Sequence, residues 1–96
     1  MTADFTSVCN HNERAVYEMV TRSAQQFPGV GNDANLIADV ACVALNRLPP
    51  RYIRHQVDFI FYLSDRERYD NDRALHEAVE YAFGFVQSRS AMRARV

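Results

Sequence analysis

The chain has 96 residues, 48% of them hydrophobic, and a formal net charge of −1 at pH 7. That length holds one small domain, residues 1–96, and the apolar share excludes a disordered chain. The near balance of charge argues against bulk attraction to nucleic acid or an anionic membrane.

All the cations are arginine and lysine is absent. Only planar guanidinium forks are therefore left to meet anions, and lysine-based chemistry is removed. The two cysteines, Cys9 and Cys42, make no disulfide framework. No basic-then-apolar leader opens the chain and no apolar run reaches membrane-spanning length, so the cytoplasm is the expected compartment.

Residues 1–9 show no periodicity and read as a loose tail. Asn10-x-x-Glu13 resembles a capping box that opens a helix running to about Gln26. Val16, Met19, Val20 and Phe27 share its inner face, with Glu18 and Arg22 paired one turn apart outside. Phe27 to Asp33 is turn sequence, with glycines for unusual backbone angles, and Asn32 or Asp33 can cap a second, central helix.

The central helix spans about Ala34 to Arg47 and is almost unbroken in its apolarity, the mark of a buried helix. Cys42 reads as a small buried hydrophobe within it. Pro49-Pro50 stops the helix abruptly near Leu48, because neither proline donates a backbone hydrogen bond and the residue before a proline leaves helical geometry. Val57 to Leu63 is aromatic and β-branched. It reads as a short strand, with a helical turn as the alternative for so short a run. A lone strand needs a partner, and the same segment of a second copy would supply one. Ser64-Asp65-Arg66-Glu67 is a capping box for a last helix to about Ser88. Its core stripe is Leu75, Ala78, Val79, Ala82 and Val86. Tyr81, Phe83 and Phe85 widen the apolar arc beyond one core, as a subunit interface requires, and close approach of another helix would account for Gly84. Residues 89–96 read as a loose arginine-rich tail.

Two constellations carry candidate chemistry. Asn35, Asp39, Cys42 and Asn46 lie within one narrow arc of the central helix. Asp39 and Asn46 either orient a ligand or, on the favoured structural reading, bond neighbouring groups. A carboxylate among apolar residues calls for an internal partner, with Arg51, Tyr52 or a backbone amide available, and Asn46 can hold the proline turn through its backbone. The second constellation is Arg47, Arg51, Arg54 and His55 with Tyr52, Asp58 and Tyr62. Guanidinium forks suit phosphates, a guanine edge pairs with arginine or a carboxylate, and purines stack on aromatic or guanidinium planes. The competing account is a solvated arginine surface over a core edge. Cys9, His11, Cys42 and His55 lack paired metal-ligand spacing. No catalytic motif or phosphate loop is present, and no cofactor or enzymatic activity is expected. The tail arginines could touch phosphates, but a basic recognition helix is missing.

The run Asp39-Val40-Ala41-x-x-Ala44-Leu45-Asn46-x-Leu48-Pro49-Pro50-x-Tyr52 resembles the signature of the ComFB family, first named for late competence development. Asn12-Glu13 fits the family start, and Arg54-His55-x-Val57-Asp58-x-x-Phe61-Tyr62-Leu63-Ser64 is similar to its proteobacterial branch. The matching parts span roughly residues 12–86. The resemblance implies a regulatory module, because some members are reported as receptors for cyclic nucleotides, chiefly cyclic di-GMP. Other members carry a zinc-binding cysteine cluster ahead of the central helix, where this chain has Gly29-Val30-Gly31-Asn32-Asp33-Ala34.

The combined expectation is a mainly α domain of three to four helices with one short strand that can pair across a homodimer. It would bind a cyclic dinucleotide through Arg47, Arg51, Tyr52, Arg54, His55, Asp58 and Tyr62, with Asp39, Asn46, Pro49 and Pro50 shaping the site. The alternative is a ligand-free interaction or dimerisation module of a competence or motility pathway, docking to a protein regulator.

Overall fold

The computed structural model describes residues 2–94. Five helices carry the fold: α1 (His11–Ser23), α2 (Pro28–Gly31), α3 (Ala34–Arg47), α4 (Gln56–Tyr62) and α5 (Asp65–Ala94). Two short strands, β1 (Cys9–Asn10) and β2 (Tyr52–Ile53), pair antiparallel with Cys9 opposite Ile53 and Asn10 opposite Tyr52.

The helix ends obey their capping chemistry. The Asp33 carboxylate accepts from the backbone N–H groups of Asn35 and Leu36 at 2.9 and 3.3 Å, which satisfies two donors left open at the start of α3. The prolines end α3 at Arg47. At the start of α5 the box is reciprocal: Glu67 N donates to Ser64 Oγ at 3.1 Å, and Ser64 N donates to Glu67 Oε2 at 3.4 Å. Asn10 caps α1 by accepting from Asn12 N.

The core is made by α1, α2, α3 and the C-terminal half of α5. Val16, Val20, Val30, Val40, Phe83 and Val86 are its fully buried large side chains. The ring of Phe83 stacks on Phe27, with centroids 4.3 Å apart and planes 7° from parallel. Phe83 thus belongs to the core; Tyr81 and Phe85 remain half exposed on the flank. Gly31 is required by packing, since a Cβ there would collide with the Ala24 carbonyl. None of the glycines takes a positive φ, so the turn at residues 27–33 is a single helical turn where unusual backbone angles were expected.

Several expectations are corrected. Of residues 57–63, Val57 to Tyr62 are helical and Leu63 is the extended cap that ends the turn; the strand that follows the prolines is Tyr52–Ile53, paired within the chain. A helix meets its own backbone groups, whereas an unpaired strand would leave them open. The last helix runs on to Ala94, anchored beyond Ser88 by Arg89, which donates to Asp39 on α3 at 3.3 Å. At the other end, Cys9 is part of β1, and Phe5–Ser7 forms a short 3-10 turn capped by the Asp4 side chain. Glu18 pairs with Arg14, at 3.2 Å, where Arg22 was expected. Cys42 is exposed and not buried. Among the described residues, no helix is long and apolar enough to cross a membrane.

Candidate functional site

The chain immediately after the prolines is stapled to the start of α1. Asn10 Oδ1 accepts from the N–H groups of both Asn12 and Arg51, each at 3.1 Å. His11 N donates to the Arg51 carbonyl at 2.7 Å, and Asn12 Nδ2 donates to the Pro49 carbonyl at 2.8 Å. A polar triplet, Asn10-His11-Asn12, thereby fixes the Pro49–Arg51 segment against the helix that it opens.

This staple sets three side chains together. The His11 ring lies 4.4 Å from Phe59, tilted by 46°, and the Arg51 guanidinium sits 5.1 Å from the centre of the same Phe59 ring. Burial first, and the Arg51 charge second, push the His11 imidazole below its ordinary value of 6.5, which favours the neutral ring at pH 7. Phe59 is presented by α4, whose C-terminal end is held by α5, because Arg68 Nη2 donates to the Ile60 carbonyl at 2.9 Å.

Phe59 is the common wall of two clefts. The first, about 250 Å³, is lined by His11, Asn12, Arg51 and Leu48 on one side and by Arg68, Asn71 and Asp72 of α5 on the other. The second, about 510 Å³ and more open, is lined by Arg54, His55 and Tyr62 with Ile53, Leu63 and Glu67. Guanidinium groups, imidazoles and an aromatic plane therefore meet within one end of the molecule. That combination can hold phosphate oxygens and stack against a flat base.

The expected site residues separate into groups. Arg51 lines the first cleft, and Arg54, His55 and Tyr62 line the second. Arg47 lines neither cleft; its guanidinium covers the Tyr81 ring at 3.7 Å on the α3–α5 flank. Tyr52, on β2 and 69% exposed, lines neither cleft. The Asp58 side chain lies outside the described residues. Asp39 is ion-paired with Arg89 and not with Arg51, Tyr52 or a backbone amide. Asn46 turns back to the Cys42 carbonyl at 3.0 Å, so the hold on the proline turn belongs to Asn12. Pro49 and Pro50 are exposed, with the Pro49 carbonyl serving as the anchor.

Sequence reasoning missed His11 as a cleft residue, and with it Asn12, Phe59, Arg68 and Asp72. The available signal was the run Asn10-His11-Asn12, in which polar side chains outnumber what one helix cap needs. Arg68 and Asp72 gave no such signal, since on a charged helix they read as surface residues. Among the described residues, no group of three or more histidine, cysteine, aspartate or glutamate side chains converges as a metal ion would require.

A family model described as late competence development protein ComFB matches residues 9–90. No curated protein and no solved structure matches the chain.

Proposed function

The chain belongs to the ComFB family, and from that premise we propose that it is a cytoplasmic regulatory module that binds a cyclic dinucleotide, cyclic di-GMP first, as a homodimer. The observation that carries this reading is the pair of clefts joined at Phe59, with arginine on both sides of the shared wall. A cyclic dinucleotide has two phosphates and two purines. Arg51 and Arg68 would meet a phosphate or a guanine edge from the first cleft, and Arg54 and His55 from the second. Phe59 and Tyr62 would give the bases an aromatic surface. His11, Asn12 and Asn10 would keep Arg51 in place.

Calorimetric titration of the folded protein with cyclic di-GMP, against cyclic AMP and GTP as controls, tests the reading. Selective, saturable binding is expected, weakened about tenfold or more by Arg51→Ala, with helicity unchanged. Unchanged affinity in that variant would remove Arg51 from the site. The outward exposure of Val57 and Phe61 on α4 favours a second reading, a ligand-free interaction module, and no heat with any nucleotide from folded protein would select it.

A further inference from the structure

Of the triplet that opens α1, Asn10 and Asn12 use their side chains on the backbone of the proline turn. His11 gives the staple only its backbone N–H, so its imidazole has a position fixed by the fold and no role in the staple itself. The half-buried ring lies against Phe59, and the Arg51 guanidinium meets the same Phe59 ring. Imidazole and guanidinium thus share one aromatic surface and one side of the first cleft.

The groups around the ring carry more positive than negative charge on the cleft side. Arg51 faces it from the segment after the prolines and Arg68 from α5. α5 also brings Asp72, which is paired with His76 at 3.6 Å. α1 adds its own N-terminal end, where open N–H groups carry partial positive charge. On the outer side it adds Arg14 and Glu18, bonded to each other at 3.2 Å. α4 contributes Phe59 and Gln56. Among the described residues, no carboxylate is ion-paired with Arg51 or Arg68. In this setting the ring is held neutral, by burial first and by Arg51 second. A neutral imidazole has one N–H donor and an imidazolium has two. An anion entering beside Arg51 offsets the charge that disfavours the imidazolium, and it gains the second donor.

We propose that His11 and Arg51 form a single anion site against Phe59, in which His11 takes a proton from solvent as a phosphate enters, so that nucleotide binding strengthens as the pH falls. The inference deepens the cyclic dinucleotide reading and rests on it for the identity of the ligand; the anion site itself needs only a phosphate-like charge. Volume agrees with a part of the ligand and not the whole. At about 250 Å³ the first cleft falls below the ~300–1,000 Å³ usual for small-molecule sites. Linkage sets the direction. Where the ring is more readily protonated in the complex than in the free protein, proton and ligand favour each other equally. Affinity is constant above the ring's value in the complex, rises as pH falls through it, and levels off below the free value. Each unit between the two values is worth about tenfold. The phosphodiesters of a cyclic dinucleotide stay ionised throughout, so the ligand adds no titration of its own.

Calorimetric titration with cyclic di-GMP at pH 7.5 and at pH 5.5 is the first test. Affinity should rise about three- to tenfold at the lower pH, with proton uptake read from the dependence of the heat on buffer ionisation. His11→Gln keeps a polar side chain that does not titrate, and it should lose the extra rise whatever its affinity at pH 7.5. The other two histidines, His55 and His76, and the net charge of the chain titrate in wild type and variant alike, so the difference belongs to His11. A second measurement needs no variant and covers the case in which His11→Gln unfolds. The wild-type His11 ring, followed by NMR, should titrate at higher pH with cyclic di-GMP bound, and in sulfate relative to chloride of equal ionic strength. Nucleotide binding that leaves the His11 titration unmoved overturns the inference alone, as do equal pH profiles in wild type and folded variant. A titration raised by sulfate in a protein that binds no nucleotide overturns the functional reading alone. A ring that neither anion moves overturns the inference in every case.

Discussion

At one end of α5, Ala78, Val79, Ala82, Phe83 and Val86 are sealed against the helices around them. At the other, the residues from Asp65 to Ala74 are exposed, Arg68 bonds to the Ile60 carbonyl of α4, and Val57 and Phe61 of α4 stand exposed. Both ends are rich in aromatic residues, so composition does not separate them. Two stacked rings, Phe27 on Phe83, close the bundle end from two distant segments. The site end is organised by polar staples, in which Asn10, Asn12 and Arg68 bond to backbone groups. The bundle thus draws its stability from buried apolar contact, worth about 1.5–3 kcal/mol per large side chain. The site end draws its shape from hydrogen bonds, each worth about 0.5–1.5 kcal/mol net.

The comparison breaks most severely at Phe83. Its ring is fully buried, so Phe83→Ala should cost about 3–5 kcal/mol in urea unfolding, the transfer of the ring plus the cavity it leaves. A loss below about 1 kcal/mol would place the stability of the molecule elsewhere. Next in size is Asn10→Ala. It removes the cap of α1 and the acceptor for Arg51 N together, and should cost about 1–2 kcal/mol. Hydrogen exchange sharpens the contrast: protection should fall at Arg51 and His11 while Val40 and Phe83 keep theirs, less the global change. Uniform loss across all four amides would mean that the staple and the bundle open as one unit.

The boundaries of α3 were legible in the sequence because both signals are local: an aspartate cap at one end and two prolines at the other. The Ser64–Glu67 box was legible for the same reason, and the Leu-Asn-x-Leu-Pro-Pro-x-Tyr run carried the family. What escaped depends on contacts between residues far apart in the chain. Asp39 finds Arg89, 50 residues on, and Asn12 reaches Pro49, 37 residues on. Local spacing offers no hint of either; it points Asp39 to Arg51, Tyr52 or a backbone amide, and the proline turn to Asn46. The segment from Val57 to Leu63 went wrong for another reason. Aromatic and β-branched residues fit a strand or a buried helical turn equally over seven positions, and the pairing that settled it lies at Cys9–Asn10 and Tyr52–Ile53. Of the candidate site, Arg51, Arg54, His55 and Tyr62 were legible as a cluster of ligand-binding types; their division between two clefts was not, because it depends on where Phe59 points.

The smallest predicted effect distinguishes the two ends by pH. His11 is held below its ordinary value of 6.5, by burial and then by Arg51. The folded protein therefore binds fewer protons at this ring than the unfolded chain does, and stability rises with pH wherever that is so. The His11 contribution is fully present above pH 6.5, is lost progressively as pH falls through that value, and levels off below the depressed folded value. Asp72 and Arg68 line the same cleft, and Arg14 and Glu18 lie beside the ring on its outer side, so the raw pH profile contains their fields as well. Comparison with His11→Gln isolates the imidazole. The wild type should lose more melting temperature than the variant between pH 7.5 and pH 5, by an amount smaller than the Asn10→Ala effect. Parallel profiles would show that the ring titrates as freely folded as unfolded, and the first cleft would then be too wet to hold a neutral imidazole against Phe59.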